Sequence, residues 1–254
     1  MEFCALASGS SGNCFYVEKE GKAILIDCGI SSKQIAERLC LLGKSPEKIQ
    51  GIFISHEHTD HIRGIRVFSS KFAIPLYATK KTSKFIEADE ELINIIKNNE
   101  QVNVGRLRVE AFQKSHDAAD PVSFAVEAKE KKVCIATDIG HACRNVVKNV
   151  SCSDAVIIES NHDTAMLKNG PYPEFLKDRI LSKKGHLSNY DAALLMLEHA
   201  GPKLKHVVLS HLSENNNTEK LALMTMKEML KHRKDISPKI HISGRGEPTE
   251  LISV

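Results

Sequence analysis

Six residues, His56-Glu57-His58-Thr59-Asp60-His61, follow without a break on the apolar run Gly51–Ser55 (GIFIS), which reads as a buried strand. Side chains two apart on extended backbone point the same way, so His56 and His58 can converge on one ion at the strand end. The chain must then turn, which lets Asp60 and His61 reach a second ion beside the first. Imidazole and carboxylate donors together suit zinc, manganese or iron. The string predicts a polar, cation-binding site where a sheet ends, against the plainer reading of a solvated polar loop.

The rest of the pattern is compatible with such a sheet. Phe3–Ala7 and Cys14–Glu18 read as a hairpin around the loop Ser8–Asn13, and Ala23–Asp27 (AILID) as a short strand. Ser31 and Ser32 cap an apolar-periodic helix to about Leu42. The pattern then predicts a helix over Ile62–Phe72, a strand over Pro75–Ala78 and another helix after it. Strands at Val102–Val104, Leu107–Phe112, Val122–Val126 and Val133–Ala136 follow, then a helix over Ala142–Asn149 and a strand over Ala155–Ile158. A helix from Ser188 to the Gly201-Pro202 stop, a strand His206–Ser210, a helix Thr218–His232 and a strand Lys239–Ser243 complete the chain. Helices alternate with strands, yet several strands are consecutive, as in two packed sheets with helices outside, a mixed α/β fold.

Composition excludes more than it selects. Residues 1–254, with 42% hydrophobic and 26% charged residues, suffice for one sizeable domain. The net charge of +3 is a weak basic bias, compatible with a polyanionic partner. The 7 cysteines are odd in number and lack any CxxC pair, so neither a disulfide framework nor a zinc knuckle is expected. With no signal-like or membrane-spanning run, a cytoplasmic protein is expected.

The string is the HxHxDH motif of the metallo-β-lactamase superfamily. Together with LASGSSGN, ATDIG, ESNHD, GHLSN and LSHLSENN, in that order along positions 6 to about 217, it resembles the YycJ/WalJ family of bacterial nucleases. The resemblance implies a four-layer αββα sandwich and a site holding two divalent metal ions, zinc or manganese favoured over iron. It implies His56, His58 and His116 on one ion, Asp60, His61 and His211 on the other, and Asp138 shared. Asp27, at the end of AILID, matches a position that orients a ligand histidine; it also reads as a turn-forming residue before Cys28-Gly29.

The pairing of Glu159 with a later GHxS resembles the phosphodiesterase branch of the superfamily, which makes His186 the general-acid candidate and Glu159 its orienting partner. His162 reads as a phosphate contact or an additional ligand. Ser10 lies in a loop whose amides could meet a phosphate or simply turn a hairpin, and Asn215 could line the same cleft or an ordinary polar loop. Basic residues gather in Lys168–Lys184 and Lys227–Lys234. The family likeness implies 5′-to-3′ exonuclease action on single- or double-stranded DNA ends, with mismatch-repair proteins as partners. The competing readings keep the metals but change the substrate to a thioester, lactam or small phosphodiester, or make the chain a regulator linked to cell-wall two-component signalling.

Overall fold

The structure is a computed structural model that describes residues 1–254. The first half contributes strands β1 (Glu2–Ala7), β2 (Cys14–Lys19), β3 (Lys22–Ile26), β4 (Ile49–Phe53), β5 (Leu76–Thr79) and β6 (Ile93–Ile96), with helices α1 (Ser32–Leu41), α2 (Thr59–Ile62) and α3 (Ile65–Phe72). The second contributes β7 (Gln101–Val104), β8 (Leu107–Gln113), β9 (Val122–Ala128), β10 (Lys131–Ala136), β11 (Ala155–Glu159), β12 (His206–Ser210) and β13 (Lys239–Ile242), and β14 (Ile252–Ser253) ends the chain. Its helices are α4 (Arg144–Ser151), α5 (Thr164–Asn169), α6 (Glu174–Leu181), α7 (Asn189–His199) and α8 (Glu219–Leu230).

Two seven-stranded sheets result, ordered β14-β1-β2-β3-β4-β5-β6 and β13-β12-β11-β10-β9-β8-β7. Each changes from antiparallel to parallel pairing partway across: at β3–β4 in the first sheet and β10–β11 in the second. Phe3, Phe15, Ile24 and Phe53 of one sheet interleave with Val109, Phe124, Ile135, Ile157 and Val208 of the other. A second apolar layer seats α4, α7 and α8 on the outer face of the β10–β12 sheet. A third seats α1 and α3 on the outer face of the β2–β4 sheet, through Ile35, Leu39, Ile65 and Phe68. Helix, sheet, sheet and helix are therefore stacked as the four-layer αββα sandwich. No helix is long and apolar enough to cross a membrane.

Two expected helices are corrected. The one over Ile62–Phe72 is split at Arg63-Gly64, where the Gly64 N–H donates to the Cys28 carbonyl at 2.7 Å. A Cβ at Gly64 would lie 2.1 Å from the Ile30 carbonyl oxygen, so only glycine lets the chain pass this close. The helix expected after Ala78 is absent. Two single 3₁₀ turns, Thr82–Phe85 and Glu90–Leu92, lead instead into β6, which pairs in parallel with β5 at the sheet edge. The β-branched Ile93, Ile95 and Ile96 favour that extended pairing. Helices α5 and α6 and strand β14 were not anticipated.

Candidate active site

The strands β3, β4, β8, β10, β11 and β12 all run toward one edge of the sandwich, and the polar residues gather where they end. Asp27 follows β3, His56 follows β4, His116 follows β8, Asp138 follows β10, Glu159 closes β11 and His211 follows β12. Three of these strand-end residues, Asp27, Asp138 and His211, have φ of 60°, 54° and 55°. Left-handed backbone at a non-glycine residue is unfavourable, and here it occurs at three residues whose side chains meet in one cluster.

His56, His58 and His116 form one group. The Nε2 of His56 and the Nε2 of His116 lie 3.1 Å and 3.4 Å from the Nδ1 of His58. Nitrogens held about 2.0–2.1 Å from a tetrahedral cation stand roughly 3.3 Å apart, so these separations fit three imidazoles sharing one ion. Asp60, His61 and His211 form a second group, with Asp60 Oδ2 at 3.4 Å from His61 Nε2 and 3.6 Å from His211 Nε2. Asp138 sits between them, its Oδ2 at 3.1 Å from His61 and its Oδ1 at 3.9 Å from His116. Asp138 Oδ2 and His211 Nε2 are buried without a well-aligned hydrogen-bond partner. Buried polar atoms left in that state are costly unless something else satisfies them, and a divalent cation fits this donor set.

The surrounding residues fix the rings. His61 Nδ1 lies 2.7 Å from Asp27 Oδ2, while Asp27 Oδ1 accepts the Ser55 N–H at 2.7 Å. The Ser55 hydroxyl is 2.9 Å from His56 Nδ1, and the Gly185 carbonyl is 3.2 Å from His116 Nδ1. Glu159, fully buried, places Oε1 at 2.8 Å from Nδ1 of both His186 and His211, and its Oε2 accepts the N–H groups of Ile139 and Leu187. Burial would raise that carboxyl, but the two imidazoles and these bonds outweigh it and hold it at about 2. Burial alone would lower His211; Asp138, Asp60 and Glu159 outweigh it and raise the ring to about 10. For His116, burial wins and lowers it to about 3. Charged neighbours set Glu159 and His211 and burial sets His116, shifts of the kind found in sites that do chemistry.

Other expected residues sit differently. Glu57, inside the string, turns away and accepts the Ala119 N–H at 2.7 Å. Ser10 lines the cleft, an opening of about 250 Å³ that also exposes His58, Asp60, Asp138 and His186. Asn215 does not join the cluster; its amide donates to the Tyr172 hydroxyl at 3.1 Å. His162 is buried beside the site, outside the convergent groups, with neither ring nitrogen partnered.

Several contributors were missed. Asn13 Nδ2 reaches Asp60 Oδ2 at 3.2 Å, and Ser8 Oγ accepts the His211 N–H at 2.7 Å. The loop expected to offer amides to a phosphate thus also braces the cluster from behind. A Cβ at Gly29 would lie 1.7 Å from the Asp60 carbonyl oxygen, so that three loops interlock only because glycine stands there.

The sandwich and its edge cluster define a metallo-β-lactamase superfamily protein, and the model of the "Metallo-beta-lactamase superfamily" matches residues 7–199. The chain is 39% identical over 237 residues to exodeoxyribonuclease WalJ of Streptococcus pneumoniae, covering 91% of this chain and 88% of that one. It is 36% identical over 241 residues to exodeoxyribonuclease YycJ of Bacillus anthracis, covering 92% and 90%. Within the superfamily, the chain belongs to the YycJ/WalJ family. The crystal structure of YhfI from Bacillus subtilis, at 14% identity, superposes with a TM-score of 0.72 over 98% of both chains, which supports the fold.

Proposed function

We propose that this chain, read as one domain over residues 1–254, is a metal-dependent phosphodiesterase that removes nucleotides from DNA ends as a 5′-to-3′ exonuclease in mismatch repair. The observation that carries the reading is the Glu159–His186 pair at 2.8 Å, set against the Asp138 carboxylate in one cleft. Its likeness to relatives named exodeoxyribonucleases, over about nine-tenths of the chain, supports DNA as the substrate.

In this reading His56, His58 and His116 would hold one cation and Asp60, His61 and His211 the other, with Asp138 available to both, and zinc or manganese are the metals the donors suit. When bound, such a pair supplies hydroxide near neutral pH and draws charge from the phosphate. The chain's own residues do the remaining work. Glu159 accepts from the Nδ1 side of His186, leaving Nε2 to deliver a proton to the departing alkoxide. The same carboxylate turns His211 so that Nε2 points toward Asp60. Asp27 and Ser55 hold His61 and His56 in matching fashion from the other sheet. Seven cysteines without a disulfide suit the reducing cytoplasm.

The test offers purified protein, supplied with manganese, end-labelled DNA, RNA, a lactam and a glutathione thioester. Release of nucleotides from DNA, lost in folded Asp60→Ala and His58→Ala proteins, supports the reading. Thioester or lactam cleavage without DNA degradation overturns it.

A further inference from the structure

Beside the cleft lies a larger cavity, about 590 Å³, that no role so far accounts for. It shares His116 and Lys184 with the cleft, so the two openings adjoin along that wall. Four cations line it, Lys81, Lys114, Arg144 and Lys184, against the single carboxylate of Asp120. Lys114 is the unusual one, only 4% exposed, with its ammonium bonded to the Thr137 carbonyl at 2.8 Å. An ammonium has three donors, and the other two have no protein partner. Helix α4 also begins on this wall, and Cys143 at its cap offers no side-chain bond to the first-turn amides.

We infer that this groove is the track for the sugar–phosphate backbone of the DNA strand whose end is cut in the cleft. The inference rests on the nuclease reading and names where its substrate lies. Positive side chains spaced along an open channel neutralise phosphates and release their counterions, which binds a strand without regard to sequence. No Phe, Tyr or Trp lines it, and its one ring, His116, is buried against His56 and His58, so the groove carries no platform on which bases could stack. The groove follows the backbone and leaves the bases unread, as an enzyme digesting any sequence requires.

The test compares two charge-matched double variants of the metal-loaded full chain. One replaces the exposed groove cations, Lys81→Gln with Arg144→Gln; the other carries Lys227→Gln with Lys231→Gln, at the last turn and C-cap of α8. Binding of a fluorescent phosphorothioate single strand, which resists cleavage, is followed by anisotropy across a salt series. The groove variant is expected to bind about tenfold more weakly, with a salt dependence shallower by about 1.4 logarithmic units per decade of salt. The α8 variant should stay close to the unmodified chain. Equal weakening in both, or none in the groove variant, overturns the track while the unmodified chain still degrades DNA and the nuclease reading stands. Failure of the unmodified chain to bind or degrade DNA overturns both.

Discussion

The two sheets supply the site in opposite ways. From the first sheet it receives His56, His58, Asp60 and His61, all from the one contiguous stretch that leaves β4 and enters α2. From the second it receives His116, Asp138, Glu159 and His211, one residue from each of four strand ends. That stretch is braced locally, by Asp27 and Ser55 on His61 and His56. The scattered half depends on a single buried carboxylate, Glu159, that holds two rings and two backbone amides. A contiguous cluster tolerates the loss of one brace, whereas the scattered half loses several alignments together when its shared brace goes.

The largest effect should come from the residue that lies between the two donor groups. Asp138→Ala is expected to lower DNA hydrolysis by about a thousandfold or more, with metal content falling in parallel, because removing the bridge forfeits several kcal/mol of charge stabilisation. Rate and bound metal measured together check this. Retained metal with lost activity would reassign Asp138 away from the cations.

Next, His186→Ala should cut kcat by about a hundredfold or more while metal content holds, as loss of a proton donor does. Loss of metal instead would make His186 a ligand.

The comparison of braces is sharper still. Glu159→Gln and Asp27→Asn each remove one carboxylate behind the cluster, and such changes typically weaken metal affinity by about 10–100-fold. Glu159→Gln should sit at the upper end and also lower kcat; Asp27→Asn should affect affinity alone. Equal behaviour of the two in a metal titration would erase the distinction between the halves.

The smallest effect concerns pH. In metal-free protein His211 is raised to about 10, against an ordinary value near 6.5, so its stabilising contribution is complete below about pH 6.5 and is lost as pH climbs toward 10. Glu159 is lowered to about 2, so its contribution is complete above the ordinary carboxylate range and is lost only as pH falls through that range toward 2. The Tm of chelated protein should therefore decline from pH 6.5 to 9. Metal replaces the proton on His211, so the loaded protein should show a flatter curve. Parallel curves would contradict the assignment of His211.

The same contrast decides what the sequence disclosed. His56–His61 is local, and extended-backbone alternation was enough to read its convergence. His116, Asp138 and His211 are single residues after apolar strands, legible only through the family resemblance, because nothing local states that β8, β10 and β12 end side by side. Asn13 and Ser8 left no signal, since each acts through a contact with a distant loop, and Ser55, next to His56 in the chain, is fixed as a brace only by its bonds to the distant Asp27. The segment after Ala78 reads as helix, whereas turns lead into β6, a four-residue edge strand too short to display an alternation of its own before it pairs with β5.

In the proposed reading two donor groups share Asp138 and hold two cations that the chemistry needs. Native mass spectrometry with element-resolved metal content, taken on the preparation that releases nucleotides from DNA, tests it directly. Two divalent ions per chain, removed by chelation together with nucleotide release and restored with it, is the predicted result. Undiminished release from chains carrying no ion would contradict the account.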